Sequence, residues 1–302
     1  MIKKYCGYIS IVGKPNVGKS TLINSILGKK ISITSRKSQT TRNNLLGVKT
    51  DDEHQMIFID TPGMHIKSDK TMNKILNKSA QSIIEDSDIV LFLMQRTSLN
   101  VEDQLILDKL DYKNQKIICA INKIDQLNDK NKLLPFIQEL SSKYNFIDIH
   151  PLSAKTQKGI KELMQSIKKH LPENNHLYDE SFQLTGSNNK FFLSELIREK
   201  LIRTLGDELP HDTFVMIDEI DNQKDIIKIQ ATIFVNRKSQ KQIVIGASGG
   251  VLKNIGMLAR VEIEKIFKKK VFLKTWVKVK KNWNTDSGFI KSLGVGGNYE
   301  SN

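Results

Sequence analysis

The chain has 302 residues, enough for two ordinary domains, and with 39% hydrophobic content it can bury a core. No apolar run reaches the roughly 18 residues of a spanning helix, and the short run after Lys3 and Lys4 reads as a strand, not a signal peptide. Its +14 charge is polarised: residues 1–42 hold nine Lys/Arg and no acid, and residues 237–281 hold thirteen against Glu262 and Glu264, so two basic poles suited to polyanions flank a slightly acidic middle.

Two distant cysteines, Cys6 and Cys119, argue against a disulfide framework and suit a reducing cytoplasm. Six scattered histidines offer no zinc-ligand spacing.

The first predicted element is a strand, Tyr8–Val12. It leads into Gly13-Lys14-Pro15-Asn16-Val17-Gly18-Lys19-Ser20, and then a helical segment, Thr21–Leu27, closed by Gly28. Strand, glycine-rich turn and helix are the context of a phosphate-binding loop. Its backbone N–H groups and helix N-terminus would cradle an anion. Residues 13–21 are therefore candidate contacts, with Lys19 reaching the β- and γ-phosphates and the Ser20 hydroxyl on Mg²⁺.

The segment Ser35–Asn44 is basic and hydroxyl-rich. A threonine there, Thr40 or Thr41, would ligate Mg²⁺ only while a γ-phosphate is present. Asp60-Thr61-Pro62-Gly63 follows the run Met56–Ile59. Asp60 would hold Mg²⁺ through a water, and the Gly63 N–H would touch the γ-phosphate.

Further apolar runs at 89–93, 117–121 and 147–149 alternate with amphipathic segments near 70–86, 102–111, 130–144 and 159–170. This alternation predicts an α/β unit with a mostly parallel sheet, flanking helices and ligands at the carboxyl ends of the strands. Asn122-Lys123-Ile124-Asp125 lies at one such end. Asp125 can accept from guanine N1–H and the 2-amino group, whereas adenine would present it with an acceptor. Asn122 would brace neighbouring loops, and the Lys123 stem would cover the base. In Ser153-Ala154-Lys155 the Ala154 N–H would meet guanine O6. Together these elements favour GTP over ATP.

The polar stretch from Pro172 to Asn189 reads as a linker. Beyond it come a helix at about 191–205, strands at 213–220 and 226–236, helical segments around a glycine cluster at 246–250, and a strand at 271–279. The expected division is 1–172, a linker 173–190, a second domain 191–285 and a tail 286–302. Gly246-Ala247-Ser248-Gly249, set between helices inside the basic stretch, is the loop form with which KH domains clamp about four nucleotides. Its middle residues carry no charge, so phosphate contacts would rest on Lys253, Arg260 and neighbours such as Lys241. Trp276, on an alternating strand, is expected in the core. Trp283, past the strand, is the better candidate for exposure.

Motif by motif, the whole chain resembles the Era family of bacterial GTPases, relatives of MnmE and Der. The resemblance implies a P-loop GTPase domain followed by a smaller α+β type II KH domain, hydrolysis of GTP to GDP and phosphate, and Mg²⁺ as cofactor. It favours Thr41 as the switch ligand and matches Met64 to a hydrophobic residue where other GTPases place a water-positioning Gln. It aligns Asn16 with a loop asparagine that helps some relatives hold K⁺, so Lys19, Thr41, Gly63 and Asn16 are the expected catalytic set. It also implies binding to the 3′ end of 16S ribosomal RNA, assembly of the small (30S) ribosomal subunit, and a cytoplasmic protein peripheral to the inner membrane. A monomer is expected. The competing expectation is a GTPase acting at a membrane or on an RNA-processing partner, its second domain used for protein contacts.

Overall fold

The computed structural model describes residues 3–32, 45–61, 71–179, 189–205 and 209–292. The first unit is a six-stranded sheet of order β2-β3-β1-β4-β5-β6. Its strands are β1 (Tyr5–Val12), β2 (Leu45–Asp51), β3 (His54–Asp60), β4 (Ile89–Gln95), β5 (Lys116–Asn122) and β6 (Asp148–Pro151). All neighbours are parallel except β2, which pairs antiparallel with β3 at the edge. The apolar runs do not announce β2. Only Leu46, Gly47 and Val48 are buried in it, and the half-buried Lys49, Thr50 and Asp51 follow, so it presents no apolar run of its own at the sheet edge.

β4 and β5 are apolar on both faces because helices cover both. Ile89, Leu91, Leu93, Ile118 and Ala120 point to one core with α1 (Lys19–Leu27) and α5 (Ile160–His170). Val90, Phe92, Met94, Cys119 and Ile121 point to the other, with α2 (Thr71–Glu85), α3 (Val101–Leu107) and α4 (Leu133–Lys143). The chain leaves β1 toward β3 on one side and returns to place β4 on the other. The loop after β1 therefore sits where the strand order reverses, the usual ligand position of such sheets. Both cysteines are free and buried.

The expected linker begins as docked chain. Gln55, wholly buried, accepts from the Leu177 and Tyr178 N–H groups (2.8 and 2.9 Å) and donates to the Tyr178 carbonyl (2.7 Å), fixing residues 177–178 against β3.

The second unit runs α6 (Asn189–Thr204), β7 (Thr213–Asn222), β8 (Ile226–Val235), α7 (Lys238–Ile245), α8 (Gly250–Phe267), β9 (Lys270–Val279) and α9 (Ser287–Ser292). β7 pairs antiparallel with β8, and β8 parallel with β9. The inward residues Ile227, Ile229, Ala231, Ile233, Val271 and Val277 pack under α6 and α8.

The tail is partly built into this unit. Trp283 is wholly buried, its indole N–H donates to the Asp212 carbonyl (3.0 Å), and Ile290 of α9 joins it on the outer sheet face beside Phe214 and Phe234. This corrects the expectation of an exposed Trp283: the chain turns back after β9 and uses the indole to cover the sheet. Trp276 is half-buried instead of core, because it points to that outer face.

Among the described residues, contacts at two places join the units. Leu76 of α2 enters the Trp283 cluster. Lys30, just after α1, is ion-paired with Glu199 of α6 and Glu262 of α8, and Lys200 also pairs with Glu262.

Candidate nucleotide and nucleic-acid sites

Backbone geometry builds the phosphate loop. Gly13 has φ +152°, and a Cβ there would sit 2.2 Å from the Leu93 carbonyl oxygen. Gly18, at φ +107°, leaves no room for a Cβ, which would lie 2.3 Å from Asn122 Nδ2. Only glycine meets both demands. Asn16, exposed at the apex, is itself left-handed (φ 64°). Val17 is buried beneath the loop, and Pro15 and Thr21 are half-buried in it and in the helix start.

Lys19 lies across the loop, donating to the Gly13 and Lys14 carbonyls at 2.9 and 3.1 Å. Burial pulls its ammonium down to about 8, with the nearby Asp60 carboxylate opposing. It is a cation held out of water, and a bound anion would restore its charge. The Lys14 side chain is engaged elsewhere: it pairs at 2.8 Å with the fully buried Asp103, which also belongs to the capping box of α3. Lys14 therefore offers its backbone to the loop, not its ammonium.

At the end of β3, Asp60 Oδ2 accepts from the Ser20 and Ser32 hydroxyls at 2.9 and 2.5 Å. A buried carboxylate beside a serine hydroxyl is an all-oxygen donor set, the chemistry Mg²⁺ prefers. Thr61, also buried, donates to the Ile11 carbonyl (2.7 Å) and locks the end of β3 to β1. The expected Thr40, Thr41, Pro62, Gly63 and Met64 lie outside the described residues.

Asn122 is the junction. Its Nδ2 donates to the Val17 carbonyl (2.8 Å), and its Oδ1 accepts from the Lys123 and Ala154 N–H groups (2.8 and 2.9 Å). One side chain thus ties the phosphate loop to the loops after β5 and β6. Lys123, left-handed at φ 65°, reaches back to the Asn16 carbonyl (2.7 Å). Asp125 and Lys155 are exposed, and Ser153 is buried, its hydroxyl accepting from the Thr156 N–H (3.2 Å). The Ala154 N–H, expected to face a base, is donated to Asn122 here, so a base would share it.

Asn24 and Ser32 escape a motif reading. Asn24 Oδ1 accepts from the Ile31 and Ser32 N–H groups, both at 2.9 Å, and its Nδ2 donates to the Ser32 carbonyl (2.7 Å). That clamp positions Ser32 on Asp60. The only trace in sequence is a polar residue among the apolar positions of α1.

In the second unit, Gly246 (φ 74°) ends α7, Ser248 (φ 49°) is left-handed, and Gly249 (φ 78°) starts α8. A Cβ on Gly246 would lie 2.4 Å from a Val251 methyl, whereas one on Gly249 meets nothing within 4 Å. Ala247 and Ser248 are exposed at the tip. Gly249, Lys253 and Arg260 line one groove of about 640 Å³, floored by Leu252, Met257 and Leu273.

Nucleotide-binding loops at the carboxyl ends of parallel strands, with an αββααβ unit behind them, define a P-loop GTPase that carries a KH module. Residues 8–123 match the family described as 50S ribosome-binding GTPase, and residues 208–284 match the KH domain. The chain is 45% identical over 293 residues to the GTPase Era of Haemophilus influenzae (strain PittGG), covering 97% of each. It is 45% identical over 291 residues to that of Pseudomonas putida F1, covering 96% of this chain and 97% of the relative. An Aquifex aeolicus Era variant bound to GDP·AlF4⁻ superposes with a TM-score of 0.92 at 36% identity, over 96% of this chain and 99% of that one. An Era complex with MgGDPNP and nucleotides 1506–1542 of 16S ribosomal RNA gives 0.92 and 36%, over 97% and 99%. The chain belongs to the Era family of GTPases, and it is a GTPase.

Proposed function

We infer that this protein is a GTP-driven switch whose KH unit binds 16S ribosomal RNA near its 3′ end during assembly of the 30S subunit. The observation that carries the reading is the Asn122 junction, which gathers the phosphate loop and the loops after β5 and β6 into one site at the reversal point of the sheet. The solved Era complex with a 16S fragment supports the choice of RNA. The working division is a GTPase unit to residue 172, a connecting segment to 190, a KH unit to 285 and a tail.

In this reading Gly13–Thr21 wrap the phosphates, Asp125 selects guanine, Lys123 and Asn122 brace the base, and Ser153–Lys155 close its edge. Ser20, Thr41 and, through a water, Asp60 hold Mg²⁺, which when bound offsets phosphate charge. Lys19 adds a proton-bearing cation at the β- and γ-phosphates, and the Gly63 N–H senses the γ-phosphate. Asn16, exposed on the loop apex, would help hold K⁺ as the family resemblance implies, and hydrolysis equal in Na⁺ and K⁺ buffers would remove that assignment. Gly246–Gly249, Lys253 and Arg260 hold the RNA backbone.

Signalling between the sites runs through the contacts that join the units. α2 follows directly on residues 62–70 and carries Leu76 into the Trp283 cluster. Lys30 stands two residues before Ser32 and is paired with α6 and α8. Cytoplasmic, monomeric protein with peripheral membrane contact completes the reading, supported by the family resemblance and, for the membrane, the basic surface. Among the described residues no single helix is long and apolar enough to cross a membrane.

The test is a titration of the full chain with a 16S 3′-end RNA in its GDP and GTP-analogue states, alongside GTP/ATP competition. Preference for GTP and nucleotide-dependent RNA affinity are expected. Equal affinity for ATP, or RNA affinity blind to nucleotide, refutes it.

A further inference from the structure

The KH groove occupies one edge of β9, and the outer face of the same strand has a composition of its own. Leu273 and Thr275 line the groove. Their alternating neighbours Lys270, Phe272, Lys274, Trp276 and Lys278 point to the opposite side of the sheet, away from α6 and α8. In register across β8 stand Lys228 beside Phe272, Gln230 beside Lys274 and Thr232 beside Trp276. Phe272 is 56% exposed, an unusual position for a large aromatic with no core to join. The Lys274 ammonium rides 5.0 Å from the centre of the half-buried Trp276 ring.

The acids on this face lie along β7, at the far edge. Asp218 accepts from Thr232, Glu219 from Gln230, and Asp221 stands 3.7 Å from Lys228. The end near Phe214 and Phe234 is closed by Trp283, Ile290 and Leu76. Among the described residues, what remains open is a stripe along β9, an edge strand, on which lysines about 13 Å apart alternate with two aromatic rings, successive side chains standing about 6.6 Å apart. Cations to track a backbone, interleaved with rings on which bases stack, suit single-stranded nucleic acid.

We propose that the outer face of β9 is a second RNA-binding surface, which takes the bases of the same strand after it leaves the KH groove across the β9 edge. Phe272 and Trp276 are the stacking platforms, and Lys270, Lys274 and Lys278 meet the phosphates. The proposal rests on the RNA reading above and adds to it a binding site longer than the groove.

The experiment compares full-chain protein with its Phe272→Ala and Lys274→Glu variants, both changes falling on exposed side chains. The probes are a short RNA of about six nucleotides, which fills the groove, and a long one of about twenty. Wild-type protein should bind the long RNA more tightly. Phe272→Ala should weaken only the long RNA, by roughly 5- to 150-fold for one stacked base. Lys274→Glu should flatten its log K against log salt slope by about 0.7.

Trp283 is sealed in the core, so fluorescence quenching by RNA should report Trp276, appear with the long RNA only, and vanish in Trp276→Phe. Variants that leave long-RNA affinity and slope unchanged, or that weaken both lengths equally, overturn the second surface. Wild-type protein that binds neither length refutes the RNA reading itself.

Discussion

Replacing Asn122 by Ala tests whether one side chain holds the nucleotide site together. The change removes the donor to the Val17 carbonyl and the acceptor of the Ala154 and Lys123 N–H groups. Val17 and Ala154 are 0% and 4% exposed, so water cannot readily replace the lost partner. A buried polar group left unpaired costs about 1–3 kcal/mol. The Lys123 contact, between adjacent residues, adds little. Two such groups give about 2–6 kcal/mol, a large share of the roughly 5–15 kcal/mol that holds a domain folded. Because Gly18 packs on the same amide, the loosened phosphate loop should also bind GTP about 100-fold less tightly, equivalent to about 3 kcal/mol. Urea denaturation of nucleotide-free protein and a fluorescent-GTP titration measure the two effects. A shift below about 0.5 kcal/mol with unchanged GTP affinity would show that the three loops are held in place by something else, and the junction argument would fail.

Three further outcomes follow from the same geometry. The folded pKa of Lys19 lies near 8, below its ordinary 10.5, so the unfolded chain binds the extra proton between those values and nucleotide-free stability should rise with pH across that window. Phosphate binding reverses the shift, so GTP affinity should fall as pH rises above 8, and calorimetry in buffers of different ionisation enthalpy should find about half a proton taken up at pH 8. Affinity flat from pH 7 to 10 would contradict it. Trp283→Ala should cost about 3–5 kcal/mol of second-unit stability, and Leu76→Ala should weaken the contact between units without disturbing the KH groove, as read by short-RNA binding. A Lys30→Ala, Glu262→Ala double-mutant cycle should show coupling of about 1 kcal/mol that shrinks in high salt, and a value near zero would remove the ion pair as a joint between units.

Residue order alone determined much of this protein. Gly13–Ser20 after an apolar run, Asp60 at the end of another, and Asn122–Asp125 after a third are local statements: a strand, a turn and a helix start are set by neighbours in the chain, and glycines at special φ leave few options. The αββααβ order and the charge pole around Gly246–Gly249 were legible for the same reason. What the tertiary structure decided depends on residues far apart in sequence. Asn122 bridging Val17 and Ala154, Lys14 diverted to Asp103, and Lys30 reaching Glu199 and Glu262 leave no periodic trace, because a single polar contact across roughly 30 to 230 positions writes no pattern into either segment. The fate of Trp283 shows the limit most plainly. A tryptophan past the last strand looks free until the chain folds back, and only the packed sheet reveals the apolar surface that needed its ring.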